Sequence, residues 1–288
     1  MVTNSKYRLT AAASVIAILV AGNANAQSDV EAAAPAVVED TAATSSEAEL
    51  AKKLSNPVAA LISVPLQFNY DNNIGPVEGG NRWSMNVQPV IPFSINDKWN
   101  LVSRTILPIV SQDEIYPGAG SQSGIGDTVQ SLFFSPRKPT SKGWIWAVGP
   151  VFLLPTGSND LLTADKWGVG PTALALKQEN GYSYGMLFNH IWSVAGNDAR
   201  ADISNTFLQP FFSYTTPKHT SYTINTESTY NWKAEQWTVP VSFGVSQLVK
   251  IGNAPVSFSA GLKYYAQSPD SAPHGWGYRF GVTLLFPK

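Results

Sequence analysis

From Leu61 to the C-terminus the chain alternates apolar with polar side chains, residue by residue, over most of its length. Successive side chains leave a strand on opposite sides, so a period of two marks strands whose two faces meet different surroundings. Ile62, Val64, Leu66, Phe68 and Tyr70 alternate with Ser63, Gln67 and Asn69. Trp83, Met85, Val87, Ile91 and Phe93 alternate with Arg82, Ser84, Asn86 and Gln88. Trp237, Val239, Val241, Phe243 and Val245 alternate with Gln236, Thr238, Ser242, Gly244 and Ser246, and Val256, Phe258, Ala260, Leu262 and Tyr264 with Ser257, Ser259, Gly261 and Lys263. The last segment sets Trp276, Tyr278, Phe280, Val282, Leu284 and Phe286 against Gly277, Arg279, Gly281 and Thr283. It has aromatic residues at both ends of an apolar stripe, the pattern of a strand crossing a bilayer between two aromatic girdles.

Seven further segments, at 99–110, 127–135, 144–154, 167–178, 182–194, 205–214 and 221–230, complete a set of about twelve. In 127–135, 144–154 and 167–178 the pattern does not say which parity faces out. The connectors alternate too. Turn-like ones (Asn96-Asp97, 135–143, Glu179-Asn180-Gly181, 215–220 and 250–255) separate mostly longer ones (71–81, 111–125, 155–166, 195–203, 231–235 and 268–275). Short periplasmic turns and long external loops are the habit of bacterial barrels with an even number of strands, and they put both chain ends on the periplasmic side. The expected fold is therefore all-β, a membrane-spanning antiparallel up-and-down β-barrel of about twelve strands. A soluble β-sandwich also alternates, but its strands average about five or six residues and its wet face is rich in charge. Here the alternating runs are longer, and the polar face is mostly Ser, Thr, Asn, Gln and Gly.

Composition sharpens this picture. Charged residues make up 14% of the chain, against roughly 25% in soluble domains, while nine tryptophans and eleven tyrosines suit membrane interfaces. No cysteine is present, which removes disulfides, Cys-ligated zinc and cysteine nucleophiles. Near-neutral net charge offers nucleic acid no basic surface to follow.

The N-terminus departs from the strand pattern. Lys6 and Arg8, an apolar run from Leu9 to Val20 and Ala24-Asn25-Ala26 read as a cleavable export signal over residues 1–26. Residues 27–50 turn to Ala, Pro, Ser and Thr with Asp29, Glu31, Glu39, Asp40, Glu47 and Glu49 and no base, the composition of a disordered acidic periplasmic linker. Without Lys6 and Arg8 the remaining 17 bases face 20 acids; without the six linker acids they face 14, so the expected barrel at 51–288 carries +3. Glu47 to Leu61 fits one short helix at 47–61, ended by Asn56-Pro57 because proline disfavours helix at the residue before it. Whether this segment plugs the barrel stays open at this level.

The stretches AKKLSNPVAALISVPLQFNYDNNIGP (51–76), WNLVSRTILPIV (99–110), SGIGDTVQSLFFSP (123–136), LPTGSNDLL (154–162), KWGVGPTALAL (166–176) and NTFLQPFFSYTT (205–216) resemble a family of bacterial outer-membrane proteins often labelled neuromedin U. That family is similar to the transporters assigned to the phenol-degradation MetA-pathway group. The resemblance runs from about Ala51 to the end. It implies a β-barrel, an outer-membrane address and a transport role; the acidic tail lies outside it.

Candidate chemistry is sparse. His190 and Ser193 lie three apart on one strand and point to opposite faces. His219-Thr220-Ser221 puts a histidine and a serine on one face and resembles the His-x-Ser of outer-membrane phospholipase A, but beside a periplasmic turn. His274 lies in an external loop and is expected to be solvated. Asp113-Glu114 and Ser158-Asn159-Asp160 lack a calcium-loop spacing, and Gly124-Ile125-Gly126-Asp127 lacks the βαβ context of a nucleotide site. Neither a cofactor nor a bound metal is expected. Charge on the lipid face costs roughly 2–4 kcal/mol for Arg or Lys at midplane, so Arg82, Asn86, Gln88, Arg104, Asn225, Glu227, Lys263 and Arg279 are expected to line the lumen. There they would either set solute preference or pair into a closed polar plug. Passage of a small solute is thus favoured over a lipid-acting hydrolase or a closed structural barrel, and no enzymatic activity is expected. The expected partners are outer-membrane lipid, the solute, and the assembly machinery through the C-terminal strand.

Overall fold

The computed structural model describes residues 49–287. The expected signal peptide at 1–26 and the linker from 27 to 48 lie outside the described residues, as does Lys288. Fifteen β segments follow in order: β1 (Ile62–Ile74), β2 (Gly80–Val87), β3 (Val90–Ser94), β4 (Trp99–Asp113), β5 (Ser121–Ile125), β6 (Thr128–Pro136), β7 (Trp144–Leu154), β8 (Lys166–Glu179), β9 (Tyr182–Gly196), β10 (Ser204–Thr215), β11 (Thr220–Thr226), β12 (Ser228–Asn231), β13 (Gln236–Ile251), β14 (Ala254–Gln267) and β15 (Gly275–Phe286). β2 and β3 are the halves of one broken stave, as are β5 and β6, and β11 and β12, so the segments form twelve staves. Each stave is antiparallel to the next, and β1 pairs with β15 from Ile62 opposite Phe286 to Tyr70 opposite Tyr278, which closes the ring. Closure leaves no unpaired edge, the condition for strands to survive in hydrocarbon.

The alternation decides which way each side chain turns. Trp83, Phe243 and Phe280 point outward and are 54%, 50% and 52% exposed, in a continuous apolar wall with Phe93, Met186, Phe212, Phe258 and Leu262. A water-facing surface rarely carries an apolar patch beyond roughly a few hundred Å², so the solvent of this wall is lipid. Rings gather at both rims. Tyr70 lies 4.6 Å from Trp83 and Tyr264 lies 5.0 Å from Trp276 at the end carrying the long loops, while Tyr182 lies 4.9 Å from Tyr214 at the end carrying the short turns. At the short-turn end Asn180 and Gly181 have φ of 52° and 80°, the left-handed pair that a two-residue hairpin needs.

The three broken staves share one cause. Proline has no N–H to donate across a ladder, and each break lies against a proline of the neighbouring stave. The backbone N–H of Gln88 donates to the carbonyl of Pro65, that of Gly126 to Pro108 and that of Glu227 to Pro240. At Gly126-Asp127 the register slips by one residue, as at a β-bulge, whereas across the other two breaks register and parity run on unchanged; Gln88, Asp127 and Glu227 all face the same internal chamber.

The N-terminal segment lies inside the short-turn end of the barrel. It is helical over 49–54 and then turns, with the Asn56 side-chain oxygen accepting from Val58 N at 3.0 Å. The expected helix at 47–61 thus stops early: the asparagine captures the backbone of the turn in place of a helical bond, and Pro57 cannot continue a helix. Leu50, Ala51, Ala59 and Leu61 pack on the inward-facing Leu248 and Leu285. Val58 packs into a pocket of Val102, Phe133, Ala147, Leu174, Leu176 and Leu187. Burying one such aliphatic side chain stabilises the contact by about 1.5–3 kcal/mol relative to water. Polar bonds add to this: Gln178 Nε2 donates to Lys52 O at 2.8 Å and to Ser55 Oγ at 3.0 Å, and Ser55 and Ser183 share a hydroxyl hydrogen bond of 2.9 Å.

That docking explains the three unreadable strands. The inward parity is odd in β6 and β7 (Phe133, Ala147, Val151) and even in β8 (Thr172, Leu174, Leu176), and much of that inner wall is apolar because it seats the segment. Both faces are then apolar, one against lipid and one against Val58, so the period of two loses its contrast.

Candidate functional site

The central chamber of the lumen, about 510 Å³, has a polar wall of Gln67, Asn86, Gln88, Arg104, Gln209 and Glu227 and a mixed wall in which Ile106, Val129, Leu153, Ile191, Ile203 and Phe207 are interleaved with Asp127, Ser131, Asn189 and Asn205. Arg104, Gln88 and Gln209 are shared with a second cavity of about 200 Å³ that reaches the N-terminal segment at Lys53, Leu54, Asn56 and Pro57. They therefore form the floor between the chamber and that segment. Beside the chamber, Asn225, Ser242, Gly244, Gly261 and Arg279 border a third cavity of about 160 Å³, which shares Gln67 with the chamber. It shares Thr223, Ser246 and Ser259 with a fourth cavity of about 200 Å³, lined by Ser213, Ser221, Ser257 and Thr283 and bounded by Ala51, Leu54 and Ser55. Cavities that adjoin through shared lining residues thus follow one another from the chamber to the short-turn end along a wall of hydroxyls and glycines.

Of the residues expected to line the lumen, Asn86, Gln88, Arg104 and Glu227 border the central chamber and Asn225 and Arg279 the third cavity, and four networks tie most of the set together. Arg279 grips Glu227 through two hydrogen bonds, Nη1 to Oε1 at 3.0 Å and Nη2 to Oε2 at 2.8 Å, while its Nε donates to Asn69 Oδ1 at 2.8 Å. This planar fork is the geometry that arginine provides for a carboxylate. Lys263 Nζ lies 2.6 Å from Asp71 Oδ1, which also accepts from Tyr265 OH at 3.0 Å, and the ammonium lies 5.2 Å from the Tyr265 ring centroid. Arg82 Nε donates to Gln112 Oε1 at 2.9 Å, and Gln112 passes the chain to Gln122 at 3.0 Å. Asn86 Nδ2 reaches Gln67 Oε1 at 3.4 Å and Gln88 Nε2 reaches the same oxygen at 3.1 Å. Arg104 differs from the other cations: its Nη2 donates to Gln88 Oε1 at 3.2 Å and, among the described residues, no carboxylate pairs with it. Asn225 Oδ1 and Ser242 Oγ are buried without a hydrogen-bond partner.

Pairing thus closes part of the polar face and leaves part of it free, between the two alternatives the sequence left open. Sequence reasoning missed Asp71, Gln112, Gln122, Asp127, Asn189, Asn205, Gln209 and Tyr265 as lumen groups, and left Gln67 and Asn69 as ordinary polar positions. The inward parity of β1 carries Gln67, Asn69 and Asp71, a readable signal; for Asp127 the signal was the proline at 108. Asp127 accepts from Gly157 N at 3.1 Å, Thr163 Oγ1 at 2.6 Å and Ala164 N at 2.7 Å, so its carboxylate fastens the 155–165 loop.

The remaining chemistry-bearing residues are occupied otherwise. His190 turns outward against Trp192, ring centroids 4.2 Å apart, with Nδ1 2.7 Å from Thr206 Oγ1. His219 and Ser221 lie at the 216–219 turn, with Ser221 Oγ 2.8 Å from Thr215 Oγ1. His274 departs from expectation: it is half-buried, with Nε2 3.2 Å from the Pro269 carbonyl and its own carbonyl accepting from Asn73, so it clasps two external loops. Glu114 accepts from Gly118 N and Gly120 N, both at 3.1 Å, and shapes its own loop. Among the described residues no group of three or more His, Cys, Asp or Glu side chains is placed to hold a metal ion.

No protein-family model and no curated protein matches the sequence. Among solved structures, the COG4313 outer membrane channel from Pseudomonas putida F1 shares the fold at a TM-score of 0.62 and 13% identity, over 79% of this chain and 96% of that one. The NanC porin matches at a TM-score of 0.48 and 9% identity, over 77% of this chain and 98% of that one. Outer membrane phospholipase A from Escherichia coli matches at 0.47 and 10%, over 78% and 90%. The first of these likenesses agrees with the closed ring of staves and its lipid-facing wall: this is an outer-membrane β-barrel fold.

Proposed function

We propose that this barrel is a channel that passes small solutes across the outer membrane, without enzymatic activity, and that the N-terminal segment narrows its periplasmic mouth. The observation that carries the reading is the succession of adjoining cavities from the central chamber to the short-turn end, bounded by charged and hydroxyl-bearing side chains. Rings of fixed charge at close quarters select what passes, and here Arg82, Asn86, Gln88, Arg104, Asn225, Glu227, Lys263 and Arg279 take that role. The resemblance of the quoted segments to the barrels labelled neuromedin U and to the MetA-pathway transporters supports the same reading, as does a fold shared with an outer membrane channel. Export by a cleaved signal peptide and insertion guided by the aromatic-edged terminal strand complete the proposal. The test is electrical: the full chain, refolded and added to planar bilayers in KCl, gives discrete conductance steps. Silent bilayers at high protein load overturn it.

A further inference from the structure

We infer that the central chamber is a binding site for an amphipathic monocarboxylate, its carboxylate on Arg104 and its apolar body along Ile106, Val129 and Phe207. The inference deepens the channel reading and rests on it. Among the four lumen cations three have their partners: Arg279 has Glu227, Lys263 has Asp71, and Arg82 has Gln112. Arg104 donates to Gln88 alone, and a guanidinium carries five N–H groups in a fixed fork that matches a carboxylate. A cation held within the barrel wall with unused donors is an anion site wherever space adjoins it, and the chamber adjoins it. Among the described residues the two carboxylates that share the chamber make no hydrogen bond to the guanidinium. Both oxygens of Glu227 are held by Arg279, and both oxygens of Asp127 are held by the 155–165 loop.

The apolar side chains of the chamber decide the rest of the ligand. A simple anion such as chloride or acetate would leave Ile106, Val129 and Phe207 facing water, whereas a chain or ring beyond the carboxylate removes that surface from water as it binds. The floor position of Arg104, shared with the cavity against the N-terminal segment, places the ligand head directly above that segment.

The experiment is a ligand-observed NMR titration of the full detergent-solubilised chain at low ionic strength, with hexanoate, acetate, hexanamide and hexylammonium as probes. Hexanoate is expected to bind at least about tenfold more tightly than acetate, which lacks the body, and than hexanamide, which lacks the charge. Arg104→Gln is expected to weaken hexanoate at least about tenfold, the loss that follows from removing a charge-assisted pair, and Arg104→Lys less, since it keeps the charge and loses the fork. Equal binding of hexanoate and hexanamide, tighter binding of hexylammonium, or an Arg104→Gln variant that binds hexanoate as the native chain does would each overturn the inference. The wild-type probe series decides the matter even if the variant fails to fold. Binding in detergent requires no conduction, so silent bilayers with selective hexanoate binding would sink the channel alone, and conducting bilayers without selective binding would sink the site alone.

Discussion

Glu227 is the residue on which the lumen's charge balance turns. It shares the inward parity of Asn225 and Thr229, and its carboxylate neutralises Arg279 while facing the chamber beside Arg104. Replacing it by glutamine leaves the shape and removes the charge. In a KCl gradient across a planar bilayer, Glu227→Gln is expected to move the reversal potential toward that of chloride, because Arg279 and Arg104 then act unopposed. An unchanged potential would mean that ions pass elsewhere. The residue was legible as polar and inward from the alternation over 221–230, but its partner was not. Glu227 and Arg279 are far apart in the chain and meet across the lumen, and nothing in a period of two specifies which groups on opposite walls face each other.

At the level of elements, the N-terminal segment and the external loops carry the next two expectations. Val58 is buried among Val102, Phe133, Ala147, Leu174, Leu176 and Leu187, so Val58→Asp would bury a carboxylate among apolar side chains at a cost of several kcal/mol and drive the segment out. Single-channel conductance is expected to rise at least about twofold, with the barrel still resistant to detergent; unaltered conductance would show that the segment does not narrow the path. On the opposite side, Asp202 lies in the loop between β9 and β10, and Lys166 Nζ, 3.2 Å away, holds its carboxyl below the usual range, with a smaller contribution from the Ser193 hydroxyl. A depressed carboxylate contributes order that is present above its unfolded pKa, about 3.9, and is lost as pH falls through the lower folded value. Amide exchange over 197–203, corrected for its intrinsic pH dependence, is therefore expected to accelerate below that window in the native chain. In Lys166→Met the acceleration would begin at higher pH, and coincident profiles would dismiss the pair.

Taken as a whole, the molecule has an outer wall that only lipid solvates and an inner wall that mixes polar and apolar side chains. The mature chain is expected to fractionate with outer membranes and to need detergent. It should also run at a different apparent size on a gel before and after boiling, because a closed ladder survives dodecyl sulfate at room temperature and not at 100 °C or about that temperature. A chain that stays in the soluble periplasm, with one mobility throughout, would refute the barrel.

The staves, their number and the sidedness of the loops were determined by the sequence alone, because a side-chain period of two and turn chemistry such as Asn180-Gly181 are local properties that any lipid-facing ring must carry. Tertiary structure decided the rest. Phe133, Ala147, Leu174 and Leu176 face inward although they are apolar, because Val58 meets them there; Asp127 turns inward because the register slips by one residue at the break opposite Pro108. Both effects depend on which segments closure brings together, and a one-dimensional pattern holds no record of distance across a lumen.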